Sequence, residues 1–457
     1  MTMSLDTLEA RDLDAVFHPT TNLKAHRETG PMVVDRGKGI YVYDSHGREY
    51  IEGLAGLWCT ALGYGVEELV EAAREQMSRM AYTHLFGGKS HEPAIRLAET
   101  LKAMSPIDTG KVFFGNSGSD ANDTQIKLIR YYNNALGRPR KKKIISRNRA
   151  YHGVTMGAGS LTGLSVNHTH FDLPIDGVLH TACPHFYREA LPDETEESFA
   201  TRLAGELEAL IEREDPDTIA AFIAEPVMGA GGVVVPPATY FEKIQAVLRR
   251  HDVLFIDDEV ICGFGRTGAW FGAQTYGMQA DTMSLAKGLS SGYLPISAVM
   301  VPEWMFEASV EPSARIGAFG HGFTYSGHPV ACAVALKNIE LMRAWDILGH
   351  VGRVSQVFQS RLACFADHPL VGETRGVGLI GAIELVADKQ TRKPFEPVGK
   401  VGGRCAALCQ SEGLIVRNLG DSIAFCPPLV IQQDEIDEMF ARFERALDKL
   451  SDDLMRS

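Results

Sequence analysis

A lysine with a neutral amine attacks carbonyl carbon, and a chain can make one by ending an apolar run with lysine beside glycine. Lys287 stands in that setting, in Leu285-Ala-Lys-Gly-Leu289. Burial there would lower its pKa and free the amine for imine formation. Read alone, the same residue is an ordinary surface lysine. Upstream, Val253-Leu-Phe-Ile-Asp-Asp-Glu-Val260 is an apolar strand that ends in acids. Open α/β sheets build their sites at the carboxyl ends of strands. A buried carboxylate at such an end could keep a ring nitrogen of a flat cofactor protonated. The plainer reading is a solvated strand end with one helix-capping acid. The interval 287 − 258 = 29 residues leaves room for one connection and one strand. Asp258 and Lys287 are therefore expected to converge from neighbouring strands.

Phe114-Gly-Asn-Ser-Gly-Ser-Asp120 precedes a helix-like stretch, Ala121–Asn134. A strand, a turn of small residues and a helix start make an anion site, because free amides and the positive helix end face the ligand. Gly118 permits close approach and Ser119 adds a hydroxyl; an ordinary N-capped helix is the alternative. Tyr151-His-Gly153 follows a strand at Lys142–Ser146, and an aromatic there either stacks on a flat cofactor or packs in its loop. Gly263-Phe-Gly-Arg-Thr-Gly268 matches a dinucleotide pattern in form only. Acids separate it from its strand, and Ala269-Trp-Phe-Gly-Ala does not read as the close-packed helix that pattern needs.

Regular elements must position these residues. Helices are expected over Val66–Met80, Pro93–Met104, Phe199–Glu214, Tyr240–Arg250, Pro329–Arg343 and Gln433–Leu450. Strands are expected over Lys111–Gly115, Thr218–Ala224, Val253–Asp257, Ile296–Val301, Leu414–Arg417 and Ile423–Cys426, with a hairpin around Ser45-His-Gly47. Short apolar strands alternating with helices predict an α/β fold with a mostly parallel sheet covered on both faces. That block runs over 62–325. Residues 326–457 read as a smaller α+β domain, to which 1–61 contributes.

Lys and Arg number 45 against 58 Asp and Glu, a net charge of −13. Such a chain repels polyphosphates, so no nucleic-acid partner is expected. The basic run Arg138-Pro-Arg-Lys-Lys-Lys143 reads as a solvated loop. The 8 cysteines show no metal-ligand spacing, so no metal site is expected; they read as reduced and mostly buried. The N-terminus MTMSLDTLEARDLDAVF has no apolar core of a signal peptide, and no stretch is long enough to span a bilayer. A soluble, cytoplasmic protein with no membrane partner is expected.

Together, Phe255-Ile-Asp-Asp-Glu-Val-Ile-Cys-Gly-Phe-Gly-Arg-Thr-Gly268 and Leu285-Ala-Lys-Gly-Leu289 resemble the class III (ornithine/ω-amino acid type) aminotransferases. These are fold-type I pyridoxal-phosphate enzymes, and the resemblance covers nearly the whole chain. Gly56-Leu-Trp-Cys59, Leu289-Ser-Ser-Gly-Tyr-Leu-Pro295 and His321-Gly-Phe-Thr-Tyr-Ser-Gly-His-Pro329 are similar to ω-transaminases that use pyruvate as amino acceptor. The resemblance implies a large domain with a seven-stranded type of sheet. It implies transfer of an amino group from an amine or ω-amino acid to an α-keto acid, with pyridoxamine phosphate as the intermediate cofactor form. Lys287 would hold the cofactor as a Schiff base and shuttle the proton. Asp258 would pair with the ring nitrogen, Val260 and Tyr151 would cover the ring faces, and Gly118 and Ser119 would bind the phosphate. His152 and Glu225 would lie beside the cofactor.

Thr324 would reach the phosphate bound in a neighbouring subunit, implying a homodimer with shared sites, or a tetramer built from it. Trp58, and Phe86 from the second copy, would shape the substrate pocket, and Arg417 would clamp a substrate carboxylate through a two-pronged fork. Two departures bear on the donor. Many relatives carry an aromatic after the His-Pro pair, where this chain has His18-Pro19-Thr20. Several relatives that take ω-amino acids with a distal carboxylate have arginine where Val154 stands, which argues against a strict GABA or ornithine substrate. Enzymes of the same fold that decarboxylate or act as aminomutases, and a non-catalytic cofactor-binding protein, are the alternatives.

Overall fold

A computed structural model describes residues 7–456. The first six residues of the N-terminal stretch read above for targeting lie outside them. A seven-stranded sheet organises the chain, in the order Lys111–Gly115, Ser297–Val301, Thr282–Leu285, Leu254–Asp258, Ile219–Ala224, Lys143–Arg147, Val178–Thr181. Only Ser297–Val301 runs against its neighbours; the remaining pairings are parallel. This is the α/β architecture expected from the sequence, a mostly parallel sheet with helices on both faces.

Alternation along the strands explains why both faces are covered. Ile144, Ala221, Ile223 and Ile256 pack with Ile126 and Ile129 of the helix Gly118–Ala135. The residues between them, Ile145, Phe222, Ala224 and Phe255, pack on the opposite face with the helices Glu196–Arg213 and Tyr240–Arg250. Each such buried Ile or Phe contributes about 1.5–3 kcal/mol through removal of apolar surface from water. The same period of two fixes the acids at the strand end. Asp258 shares the face of Ile256, toward the Gly118–Ala135 helix, whereas Asp257 shares the face of Phe255.

Two four-stranded sheets flank this core. One joins Val34–Lys38, Tyr41–Asp44, Glu49–Glu52 and Leu414–Ile415; the other joins Val371–Val377, Ile380–Leu385, Ser422–Phe425 and Arg417–Leu419. The expected strand Leu414–Arg417 is therefore two strands. Leu414 and Ile415 pair in parallel with Ile51 and Glu52, whereas Arg417 turns to pair antiparallel with Ala424. The chain changes sheet at Val416.

The basic run is also corrected. Arg138 and Lys141 pair with Asp252 at 2.7 and 3.2 Å, and Arg140 pairs with Asp215 at 3.0 Å. Lys141 is buried, so this loop is tied down by acids distant in sequence rather than freely solvated. Gly263–Gly268 packs against the C-terminal part of the chain, where buried Arg266 donates to the carbonyls of Leu379 and Pro427. A five-residue helix, Gly272–Tyr276, follows it. All the cysteines are free thiols; Cys364 is exposed, Cys59 is half-buried, and the rest are buried. No helix among the described residues is long and apolar enough to cross a membrane.

Candidate active site

Parallel pairing of Leu254–Asp258 with Thr282–Leu285 sets Asp258 opposite Ser284. Lys287 follows that second strand after one residue, so both residues reach one cavity of about 1260 Å³ at the carboxyl end of the sheet. Asp258 is fixed from three sides. Its Oδ2 accepts hydrogen bonds from Asn122 Nδ2 and His152 Nδ1, both at 2.7 Å, and its Oδ1 accepts from the Val260 amide at 3.1 Å. A carboxylate only accepts, so His152 carries its proton on Nδ1. Burial pushes the Lys287 amine below its ordinary pKa; the nearby Cys59, Asp258 and Glu225 oppose that shift. A lowered amine pKa increases the fraction of neutral nucleophile at neutral pH.

Ser117 caps the Gly118–Ala135 helix reciprocally with Asp120, and Ser117 Oγ accepts from the Asp120 amide at 3.2 Å. The first amides of a helix lack intrahelical acceptors, which leaves those of Gly118 and Ser119 for an anion. A Cβ on Gly118 would lie 3.0 Å from Val260, so glycine allows the helix start to approach the valine this closely. Ser119 Oγ accepts from the Val154 amide at 3.1 Å. Glu225 is buried and bridges two loops, accepting from the amides of Tyr151 and Gly229, both at 3.1 Å. Burial raises its pKa.

These residues fit a phosphorylated pyridine aldehyde. An amide-lined helix start faces one part of the cavity, a fixed carboxylate faces another, and the half-buried Lys287 lies between the cavity walls. Val260 and Tyr151 also border this cavity, as the stacking reading requires. The fold and the site thus define a pyridoxal-phosphate-dependent transferase.

The outer wall comes from elsewhere. Trp58 is 3% exposed, has φ of 64°, and borders the cavity with Leu57 and Cys59. Pro19 and Thr20 border it too, so the loop that lacks the relatives' aromatic does face the pocket. Arg417 enters from the peripheral sheet, and no ion pair among the described residues engages it. Burial lowers its pKa, with Tyr151 opposing. Thr324 and Phe86 are not brought to this cavity. Both are exposed, and they lie near each other: Tyr82 donates to the Thr324 carbonyl at 2.8 Å, and a Cβ on Gly322 would meet the Phe86 ring at 2.8 Å. Asn122 was not singled out from the sequence. Its position one turn after Gly118 on the same helix face was the available signal.

The Aminotransferase class-III family model matches residues 23–447, and the chain belongs to that family. It is an aminotransferase that uses pyridoxal 5'-phosphate. It is 51% identical over 418 residues to gamma aminobutyrate transaminase 3, chloroplastic, of Solanum lycopersicum, covering 91% of this chain and 80% of that protein. It is 50% identical over 418 residues to vanillin aminotransferase of Capsicum annuum, covering 91% of each. Among solved structures, the omega transaminase from Pseudomonas jessenii in complex with PMP superposes with a TM-score of 0.96 at 52% identity, covering 98% of each chain.

Proposed function

We propose that this aminotransferase moves the amino group of an apolar amine or ω-amino acid to pyruvate, in two half-reactions that share one site. The observation that carries this reading is the convergence of Lys287 and the three-fold-bonded Asp258 on a cavity whose outer wall holds Arg417, which forms no ion pair among the described residues. Pyridoxal phosphate, when bound, supplies a carbonyl that takes up the amino group and a ring that accepts the electron pair left by the α-proton. Asp258 keeps a proton on the ring nitrogen. Gly118 and Ser119 amides hold the phosphate, while Tyr151 and Val260 confine the ring and His152 and Glu225 brace its surroundings. Lys287 Nζ takes the proton from the donor's α-carbon and would deliver it to the carbon that was the cofactor's aldehyde, so the amine is free again at the end of each half-reaction.

Arg417 binds the carboxylate of the keto acid through paired hydrogen bonds. An amine without a carboxylate packs instead against Trp58 and the apolar wall. Thr324 and Phe86 complete the site of a second copy, which makes the working unit a homodimer. The exposed cluster of Tyr82, Phe86, Thr324 and Tyr325 is the surface offered for that pairing. A cytoplasmic location belongs to the same proposal, and cell fractionation tests it.

The test is the visible absorption of the purified holoenzyme. The expected result is a yellow band that bleaches with an apolar primary amine and returns with pyruvate. Bleaching that other keto acids reverse and pyruvate does not would reject pyruvate as acceptor. The plant relatives' names make 4-aminobutyrate and vanillylamine natural members of the donor panel.

A further inference from the structure

Glu52 ends the strand Glu49–Glu52 and is buried, 6% exposed. No ion pair among the described residues engages it, and the titratable groups that face it are the phenol of Tyr64 and the thiol of Cys426. A buried carboxyl with no cation needs hydrogen bonds. Glu52 finds one just ahead in its own chain: Oε1 accepts from the Leu54 amide at 3.2 Å, and the Gly56 amide also favours the charged carboxylate.

The segment these amides belong to is strained. Ala55 has φ of 49°, Gly56 of 66° and Trp58 of 64°, so a left-handed backbone is adopted by two residues that carry side chains. Such conformations persist where their surroundings hold them. The turn closes on itself through Trp58 N to Leu54 O at 3.0 Å and Cys59 N to Ala55 O at 2.9 Å. It delivers Leu57, Trp58 and Cys59 to the cavity.

We propose that Glu52 is a positioning residue for substrate choice: its carboxylate gathers the Leu54 and Gly56 amides and so holds the left-handed turn that sets Trp58 as the pocket wall. The inference rests on the reading of Trp58 as that wall. Burial pushes the Glu52 carboxyl up to about 7, against the lowering effect of the two amides. The charged form, which both amides favour, therefore prevails above neutrality and gives way to the protonated form below it.

The test uses the holoenzyme with two donors, benzylamine and alanine, and reads the ratio of their kcat/KM values. Glu52→Gln is expected to lower the benzylamine-to-alanine ratio about tenfold, the worth of one hydrogen bond to a charged acceptor. Added to Trp58→Ala, it is expected to change the ratio no further, because the residue acts through Trp58. The wild-type ratio should climb as pH rises through about 7, and the variant's should stay flat.

An unchanged ratio in Glu52→Gln, with Trp58→Ala shifting it, would overturn the role of Glu52 while leaving Trp58 as the wall. A fully additive double variant would do the same, and a wild-type ratio flat with pH would overturn the charge-dependent hold. No shift in Trp58→Ala itself would overturn the wall reading and this proposal with it. Should Glu52→Gln fail to fold, Glu52→Asp, which keeps the charge but draws it back, carries the same comparison.

Discussion

His152 Nδ1 lies 2.7 Å from Asp258 Oδ2, the same oxygen that Asn122 Nδ2 reaches at 2.7 Å. Two donors on one oxygen leave the carboxylate little freedom to rotate. Asp258 therefore meets whatever occupies the cavity in one orientation. Loss of either donor is expected to slow the proton-transfer step by about ten- to a hundredfold, as for one hydrogen bond to a charged group. Asp258→Asn is expected to slow it by several orders of magnitude. Single-turnover rates with α-deuterated amine check this. Rates in Asn122→Ala and His152→Ala equal to wild type would remove both from the proton-transfer scheme.

Lys287→Ala is expected to abolish turnover while the protein still binds its cofactor. Added methylamine should restore part of the proton-transfer rate by standing in for the missing amine. Near-normal turnover without added amine would refute the role of Lys287.

Arg417 lies on the cavity wall, with no acid among the described residues paired to it. Arg417→Ala is expected to raise KM for pyruvate by about ten- to a hundredfold, since it removes charge-assisted hydrogen bonds. The half-reaction with benzylamine, which has no carboxylate, should keep its rate. An equal loss in both half-reactions would show that the change disturbs the site as a whole.

Behind Asp258, burial pushes Asp257 well above the usual carboxylate range and Glu259 up to about 7. A folded-state pKa above the unfolded value means that the folded protein holds the extra proton. Stability from this group is fully present below the unfolded value and falls as pH climbs to about 7. Glu259→Gln keeps the acceptor for the Ala273 amide, now 2.6 Å away, and removes the titration. It is expected to raise the melting midpoint at pH 8 by a few degrees and to leave it nearly unchanged at pH 5. Melting curves at the two pH values decide the matter, and equal shifts at both would contradict it.

The proposed homodimer, with its site shared between copies, predicts complementation. Lys287→Ala removes a residue from a chain's own site, whereas Thr324→Glu would place a charge against the phosphate bound in the other copy. Co-refolding the two variants should regain activity that neither has alone. No gain on mixing would place Thr324 outside the neighbouring site.

Much of the site was legible because its signals are local. The apolar strand before Asp258 and the glycine-flanked Lys287 announce a parallel sheet with its chemistry at the carboxyl edge; the choice of Asp258 over Asp257 comes from the family resemblance, and the face that Asp258 shares with Asn122 is seen only in the structure. Three things were not legible. Positive φ at Ala55 and Trp58 has no residue signature, since neither is glycine or asparagine. The break at Val416 lies inside a run that reads as one strand, and only the partners Ile51 and Ala424 divide it. The ion pairs of the basic run depend on Asp252 and Asp215, which lie far along the chain.

Asp258 ends one strand of the central sheet and Lys287 follows the strand beside it, whereas Trp58 and Arg417 come from elements beyond that sheet. On the proposed roles of these residues, what the enzyme does and what it does it to are written in separate parts of the polypeptide. Alterations to the turn at residues 54–58 or to the hairpin that bears Arg417 would then redraw the roster of acceptable molecules and leave the reacting apparatus intact. A lineage on this scaffold can change its diet without relearning its chemistry.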